Sequence, residues 1–250
     1  MFSHGLLMNL HMYDAQVAEL SARYRCVAYD HRGQGQSDVP SGPMIDMETC
    51  YDDAATLIET IGGGRVHFVG LSMGGFVGLR LAARRPDLIA SVTLIDTSAE
   101  PEPLQNVPKY RRLVQVARRI SPALVTKQVL PLMFGDAFLH DDKRRDEVQT
   151  WTHHLRANPR SIYKAVNGVI YRPGVVAEAR QITVPARVIH GTHDRAIPRH
   201  VAQRLADIVN GELVLIEGAG HSPTIESPHA TTSAIEEFLA EHRIDCNAAR

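Results

Sequence analysis

Several features that define specialised protein classes are missing from this chain of 250 residues. It has only three cysteines, Cys26, Cys50 and Cys246, an odd number with no CxxC or metal-ligand spacing. Cys26 sits inside a strand-like stretch. That pattern predicts free thiols in a reducing compartment, hence a cytoplasmic protein, and excludes a disulfide scaffold. No run of eighteen apolar residues occurs, so no segment reads as a bilayer span. The 27 Lys+Arg nearly cancel the 28 Asp+Glu, leaving a formal charge of -1. Without a field of one sign, neither nucleic acid nor a membrane surface is expected as a partner. Internal repeats and low-complexity tracts are absent as well. The glycine-rich loop Asp30-His31-Arg32-Gly33-Gln34-Gly35-Gln36-Ser37-Asp38 lacks both the third glycine of a dinucleotide fingerprint and the Gly-Lys-Ser/Thr of a phosphate loop, so it reads as structural.

What is present is 44% hydrophobic and 22% charged, enough to bury the core of one globular domain with room for an inserted subdomain. The first residues, Phe2 to Leu7, read as the end of a strand and a turn. A buried parallel strand needs about five residues, so the chain is expected to begin inside a strand that upstream sequence would continue. A helical pattern covers Asn9 to Arg23, and a strand covers Arg25 to Tyr29. An amphipathic helix follows from Asp46, its cap, to Ile61, with Gly62-Gly63-Gly64 as the stop. Further strands are expected at Val66–Val69, Ser91–Asp96, Pro185–His190 and Glu212–Glu217, with helices at Arg199–Val209 and Ser227–Glu241. Strands alternating with helices predict an α/β fold with a mostly parallel sheet covered on both faces.

The alternation stops between about residues 98 and 180. Helical patterns there run over Tyr110–Ile120, Pro122–Phe134, Asp141–Ala157 and Arg160–Ile170. An insertion of that length reads as a helical cap, giving a core of 1–97 and 181–250 and a cap of 98–180. Leu113, Leu132, Met133, Phe134 and Trp151 could roof a pocket, although ordinary cap core is the simpler reading of each. The basic residues Arg111, Arg112, Arg118 and Arg119 read as a solvated helix face.

The most informative stretch is Arg65 to Arg84, in which a short buried strand runs into a helix through Gly70-Leu71-Ser72-Met73-Gly74. A strand that reverses into a helix around one residue leaves no room for side chains two positions either side, which explains Gly70 and Gly74. The serine hydroxyl stands at the apex, beside the free N–H groups of a helix start. Two other reactive side chains, Asp194 and His221, also fall just beyond the carboxyl ends of strands, the edge where open parallel sheets bind ligands. Asp96 ends a core strand and competes with Asp194 as the acid. His4 reads as shaping its turn. His190 and His193 lie near Asp194, but strand and loop do not present them as paired metal ligands. Neither a metal nor a cofactor is expected.

With its matching pieces His4-Gly5, Asp30-x-Arg32-Gly33-x-Gly35-x-Ser37, Gly70-Leu71-Ser72-Met73-Gly74-Gly75, Gly191-x-x-Asp194 and Gly218-x-Gly220-His221, the chain resembles the α/β-hydrolase superfamily of serine esterases and enol-lactonases from His4 almost to its end. The first strands of that family's sheet are absent. The resemblance implies Ser72 as nucleophile, His221 as general base, Asp194 as the carboxylate that fixes the imidazole tautomer, and the backbone N–H groups of Leu6 and Met73 as oxyanion hole, with Leu7 the alternative to Leu6. It implies a cofactor-free hydrolase of a small to medium carboxylic ester or lactone. Hydrolysis of a carbon–carbon bond, acyl transfer, and a non-enzymatic ligand sensor remain the alternatives.

Overall fold

A computed structural model describes residues 1–61 and 64–244. Gly62, Gly63 and Cys246, to which the sequence assigned a helix stop and a free thiol, lie outside the described residues. The chain opens with β1 (Phe2–Ser3), a 3₁₀ turn (Leu10–Tyr13), α1 (Asp14–Leu20), β2 (Ala28–Tyr29) and α2 (Met47–Ile61). Then come β3 (Val66–Leu71), α3 (Met73–Arg84) and β4 (Ile89–Ile95). Six helices separate β4 from the next strand: α4 (Val107–Arg119), α5 (Thr126–Met133), α6 (Asp136–Leu139), α7 (Arg145–Ala157), α8 (Tyr163–Ile170) and α9 (Val176–Ala179). The chain continues through β5 (Ala186–Gly191), α10 (Arg199–Val209), β6 (Glu212–Ile216), α11 (Pro223–Glu226) and α12 (Pro228–Glu241).

The strands form one six-stranded sheet in the order β2-β1-β3-β4-β5-β6, with every neighbouring pair parallel. Every residue of β4 is buried, as expected for a central strand covered on both faces. The two-residue period of the strands splits the core into two clusters. Phe68, Val92 and Val188 pack with α2, α3 and α10 through Ile58, Leu79 and Leu205. Val69, Ile95 and Ile189 point the other way, against Leu20 of α1 and Ile235 of α12.

Two expectations need correction. The strand expected over Arg25–Tyr29 shortens to Ala28–Tyr29, because pairing is possible only where β1 lies alongside, at Phe2↔Ala28 and Ser3↔Tyr29. The long helices expected at Asn9–Arg23, Pro122–Phe134, Asp141–Ala157 and Arg160–Ile170 each begin as a 3₁₀ turn before the α-helix sets in. The ladder between β1 and β3 runs to the first residue: Met1 O accepts from Val69 N at 2.9 Å, and the Met1 amino group donates to His67 O at 2.7 Å.

The inserted helices are anchored to the sheet layer at close range. Ile45 N donates to Lys164 O of α8 at 3.0 Å, and Lys164 Nζ donates to Pro40 O at 2.6 Å. Backbone meets backbone here because α8 carries Gly168, where a Cβ would lie 1.7 Å from Ile45 O. A Gly168→Ala substitution is therefore expected to push α8 off this seat and destabilise the protein by about 1–3 kcal/mol, the cost of overpacking. The check is the urea unfolding midpoint; an unchanged midpoint would show that α8 is loosely seated.

Candidate active site

Between β3 and α3 the chain turns on Ser72, whose backbone sits at φ 52° and ψ -109°. That region costs a non-glycine residue on the order of 1–3 kcal/mol and persists only where neighbours enforce it. Here three hydrogen bonds do so. Ser72 N donates to Ile95 O of β4 at 2.8 Å, while Ser72 O accepts from Thr97 Oγ1 at 2.8 Å and from Phe76 N at 3.0 Å. A Cβ on Gly70 would lie 2.3 Å from Gly74 O, the crowding expected from sequence. Gly74 has a different reason: its Cβ would meet Ser3 O of β1 at 2.0 Å, so the glycine admits a neighbouring strand rather than its own elbow.

The loops after β5 and β6 bring Asp194 and His221 together. His221 Nδ1 lies 2.8 Å from Asp194 Oδ2, and the other carboxylate oxygen, Oδ1, accepts from the Ala196 and Ile197 amides at 2.7 and 3.1 Å. Burial works against ionisation of both groups. On Asp194 the opposing charge and hydrogen bond of His221, aided by the two amides, prevail and hold the carboxyl below its usual range. On His221 burial is likewise outweighed by the charge and hydrogen bond of Asp194, so the imidazole pKa is raised. Ser72 and His221 line one cavity of about 160 Å³.

The turn after β1 lies against the elbow, where a Cβ on Gly5 would sit 3.6 Å from Ser72 Cβ. His4 shapes this turn, as expected: Nδ1 lies 2.7 Å from Gly5 O and Nε2 accepts from His31 N at 3.0 Å, while burial lowers its pKa to about 4. The ring is thus neutral, with the proton on Nδ1. Leu7 N is already committed to Gln34 Oε1 at 2.8 Å, whereas the Leu6 and Met73 amides have no acceptor among the described residues. Gln34 also reaches Met73 Sδ at 3.6 Å, so the glycine-rich loop braces both segments. Leu7 O is gripped by His154 Nε2 and Asn158 Nδ2 of the α7 end, each at 3.1 Å.

Two carboxylates carry more than the sequence revealed. Glu226 lies buried on α11 and accepts from Gly220 N (2.9 Å), Ser222 N (3.0 Å) and Gly135 N (2.8 Å). It thereby brackets His221 on both sides and joins that loop to the inserted helices. A glutamate five residues after the histidine was its only sequence trace. Asp96 stands fully buried at the end of β4, with φ 43°, and is not the residue hydrogen-bonded to His221. With His190 and Asp194 it forms a group of possible ligand atoms all within 4.8 Å of one another. Asp194 already accepts from His221 and two amides, which leaves the trio poorly suited to hold a cation. His193, the other histidine weighed from sequence, is exposed.

Leu113, Leu132 and Met133 line the cavity, whereas Phe134 and Trp151 do not. Phe134 instead stacks on Phe138 within the core, with ring centroids 5.0 Å apart. The arginines Arg111, Arg112, Arg118 and Arg119 are all exposed. One wall of the largely apolar cavity carries Arg172 and Glu102, paired at 3.2 Å, with the guanidinium 4.0 Å from the Phe76 ring centroid.

The parallel sheet, the strained serine elbow and the buried carboxylate–imidazole pair together define a hydrolase of the α/β class. The chain matches the family described as alpha/beta hydrolase fold over residues 1–228, and it belongs to that family. Among solved structures it is similar to a thermophilic esterase from Thermogutta terrifontis, at 28% identity and TM-score 0.89, covering 97% of this chain and 89% of that one. It is also similar to the enol-lactonase from Burkholderia xenovorans, at 30% identity and TM-score 0.87, covering 96% and 90%. Among curated proteins it is 26% identical to 3-oxoadipate enol-lactonase 2 of Acinetobacter baylyi, over 95% of this chain and 87% of that protein. It is 28% identical to a putative carbamate hydrolase of Stutzerimonas stutzeri, over 90% and 85%. No helix among the described residues is long and apolar enough to cross a membrane.

Replacing Glu226 by Ala would strand three buried amides around His221. The expected result is a loss of about 1–3 kcal/mol in stability together with reduced turnover, whereas Glu226→Gln keeps an acceptor and loses less. Denaturation curves for the two variants check this; equal curves would show that the carboxylate is not bracing the loop.

Proposed function

We propose that this enzyme hydrolyses a small to medium carboxylic ester or lactone through an acyl-enzyme on Ser72. The observation that carries the reading is the 2.8 Å bond from His221 Nδ1 to Asp194 Oδ2, with His221 lining the same cavity as Ser72. A serine hydroxyl is a weak nucleophile at neutral pH and needs a base. With its Nδ1 proton directed at Asp194, His221 offers Nε2 to the Ser72 hydroxyl. It takes the proton as Ser72 Oγ attacks the substrate carbonyl, then delivers it to the leaving oxygen. In a lactone that oxygen stays tethered to the acyl group. Water enters by the same route in reverse and releases the acid. Asp194 holds the tautomer and stabilises the imidazolium.

The developing oxyanion is received by the Leu6 and Met73 amides, the latter at the positive end of α3. Each such donor lowers the barrier by about 3 kcal/mol. The largely apolar cavity suits an uncharged acyl chain of modest length, and the relatives named as esterases and enol-lactonases support this substrate class.

A short-chain p-nitrophenyl ester is expected to show a burst of p-nitrophenol, and Ser72→Ala to lower kcat by about three or more powers of ten. Turnover surviving in Ser72→Ala would refute the acyl-enzyme. The base must be neutral to act, and its pKa is raised from the ordinary 6.5. The acid limb of kcat/KM is therefore expected above pH 6.5, with activity lost as the pH falls through it.

A further inference from the structure

Behind the Asp194–His221 pair stands a second carboxyl group with an unbalanced set of partners. Asp96 Oδ1 accepts from Gly191 N at 2.9 Å, but Oδ2 is buried and has no hydrogen-bond donor. Its side chain and that of Asp194 are both fully buried, and their oxygens lie within 4.8 Å. His190 does not resolve the imbalance. Its Nδ1 approaches Asp96 Oδ1 to 2.7 Å, yet neither ring nitrogen makes a hydrogen bond, so the oxygen lies off the direction along which that nitrogen donates or accepts.

Two buried anions this close repel strongly, and the repulsion is relieved when one of them takes up a proton. Which carboxyl carries it follows from their partners. Asp194 has three donors that reward the charged form: His221, Ala196 and Ile197. Asp96 has a single amide and an orphaned oxygen. The groups acting on the pair are His190 on β5, His221 after β6, Tyr110 on α4, which senses the Asp194 charge, and Arg199 on α10, which acts on His190.

We propose that Asp96 is held as a neutral carboxylic acid that donates its Oδ2 proton to the Asp194 carboxylate, and so is a positioning residue for the partner of His221. The proposal rests on the reading of Asp194 and His221 as acid and base behind Ser72. Burial, followed by the Asp194 charge, pushes the Asp96 pKa well above its ordinary value, while His190 is kept neutral by burial. Donation from Asp96 spreads the Asp194 charge, and this sets how strongly Asp194 raises His221. The same arrangement makes Asp96 a latent acid. Loss of the Asp194 charge removes one of the causes that favour its proton, and it lies close enough to His221 to feel it.

The conservative variant Asp96→Asn keeps a donor in place of the protonated acid, whereas Asp96→Leu removes it. The acid limb of kcat/KM is expected to stay in place in Asp96→Asn. In Asp96→Leu it should move to higher pH, as an unbraced Asp194 raises His221 further, with a fall in rate of about tenfold, the scale of one hydrogen bond to a charged group. An acid limb that moves to lower pH in Asp96→Asn would overturn the proposal, because it would show that Asp96 had been a negative charge holding His221 up. An infrared difference spectrum of wild type against Asp96→Asn at neutral pH should contain the C=O stretch of a protonated carboxylic acid. Its absence would overturn the proposal independently of activity, and this measurement stands even if Asp96→Leu fails to fold. Should Ser72→Ala stay active while the band is present, the acyl-enzyme fails and the protonated Asp96 survives.

Discussion

The hydrogen bond from Ser72 N to Ile95 O is the constraint on which the site depends. A serine at φ 52° would relax to an ordinary turn if the elbow were free. It is not free, because the next strand of the sheet supplies the acceptor and the residues just beyond it supply Thr97 Oγ1. The strain is therefore maintained by the pairing of β3 with β4, in register from His67↔Ser91 to Leu71↔Ile95. Sheet formation and site formation are one event. The same register places Asp96 level with the elbow and, through β5, sets Asp194 one loop away.

A parallel sheet aligns all its carboxyl ends at one edge, so chemistry gathered there comes from loops far apart in sequence. That arrangement also creates the electrostatic problem at its centre. Placing an imidazole where water is excluded depresses its basicity, and the buried Asp194 charge restores it. A carboxylate buried deeply enough to do this must itself be kept ionised, which the amides of Ala196 and Ile197 accomplish together with His221. The pair is stable because each member offsets the desolvation of the other.

How far the sequence discloses this depends on whether the signal is local. Helix α10 is read from sequence residue for residue, since Pro198 precedes its start and Asn210, in the left-handed conformation at φ 50°, ends it before Gly211. The serine elbow is legible for the same reason, its steric demand being written into Gly70, whereas Gly74 records the approach of β1. The shortened β2 is not, because strand length depends on what lies alongside rather than on the residues of the strand. The 3₁₀ starts of the inserted helices escape too, their hydrophobic spacing being close to that of the α-helices they lead into. Asp96 shows the limit most clearly. Sequence presents it as a rival to Asp194, whereas folding makes the two neighbours, a relation no motif records.

The inserted helices do more than roof a cavity. From the end of α7, His154 and Asn158 hold Leu7 O, immediately after Leu6. From the turn before α6, Gly135 N binds Glu226, the same carboxylate that holds Gly220 and Ser222 on either side of His221. Arg144, ahead of α7, adds a bond to Ile225 O at 2.7 Å and one to Glu226 O. Thus one insertion grips both the turn bearing Leu6 and the loop bearing His221, while Ser72 is held by Ile95 of β4, by Thr97 just beyond it and by its own helix α3. Movement of these helices would displace the imidazole and the Leu6 amide together relative to a stationary serine. The insertion is for that reason coupled to the chemistry of the site as well as to the shape of what enters it.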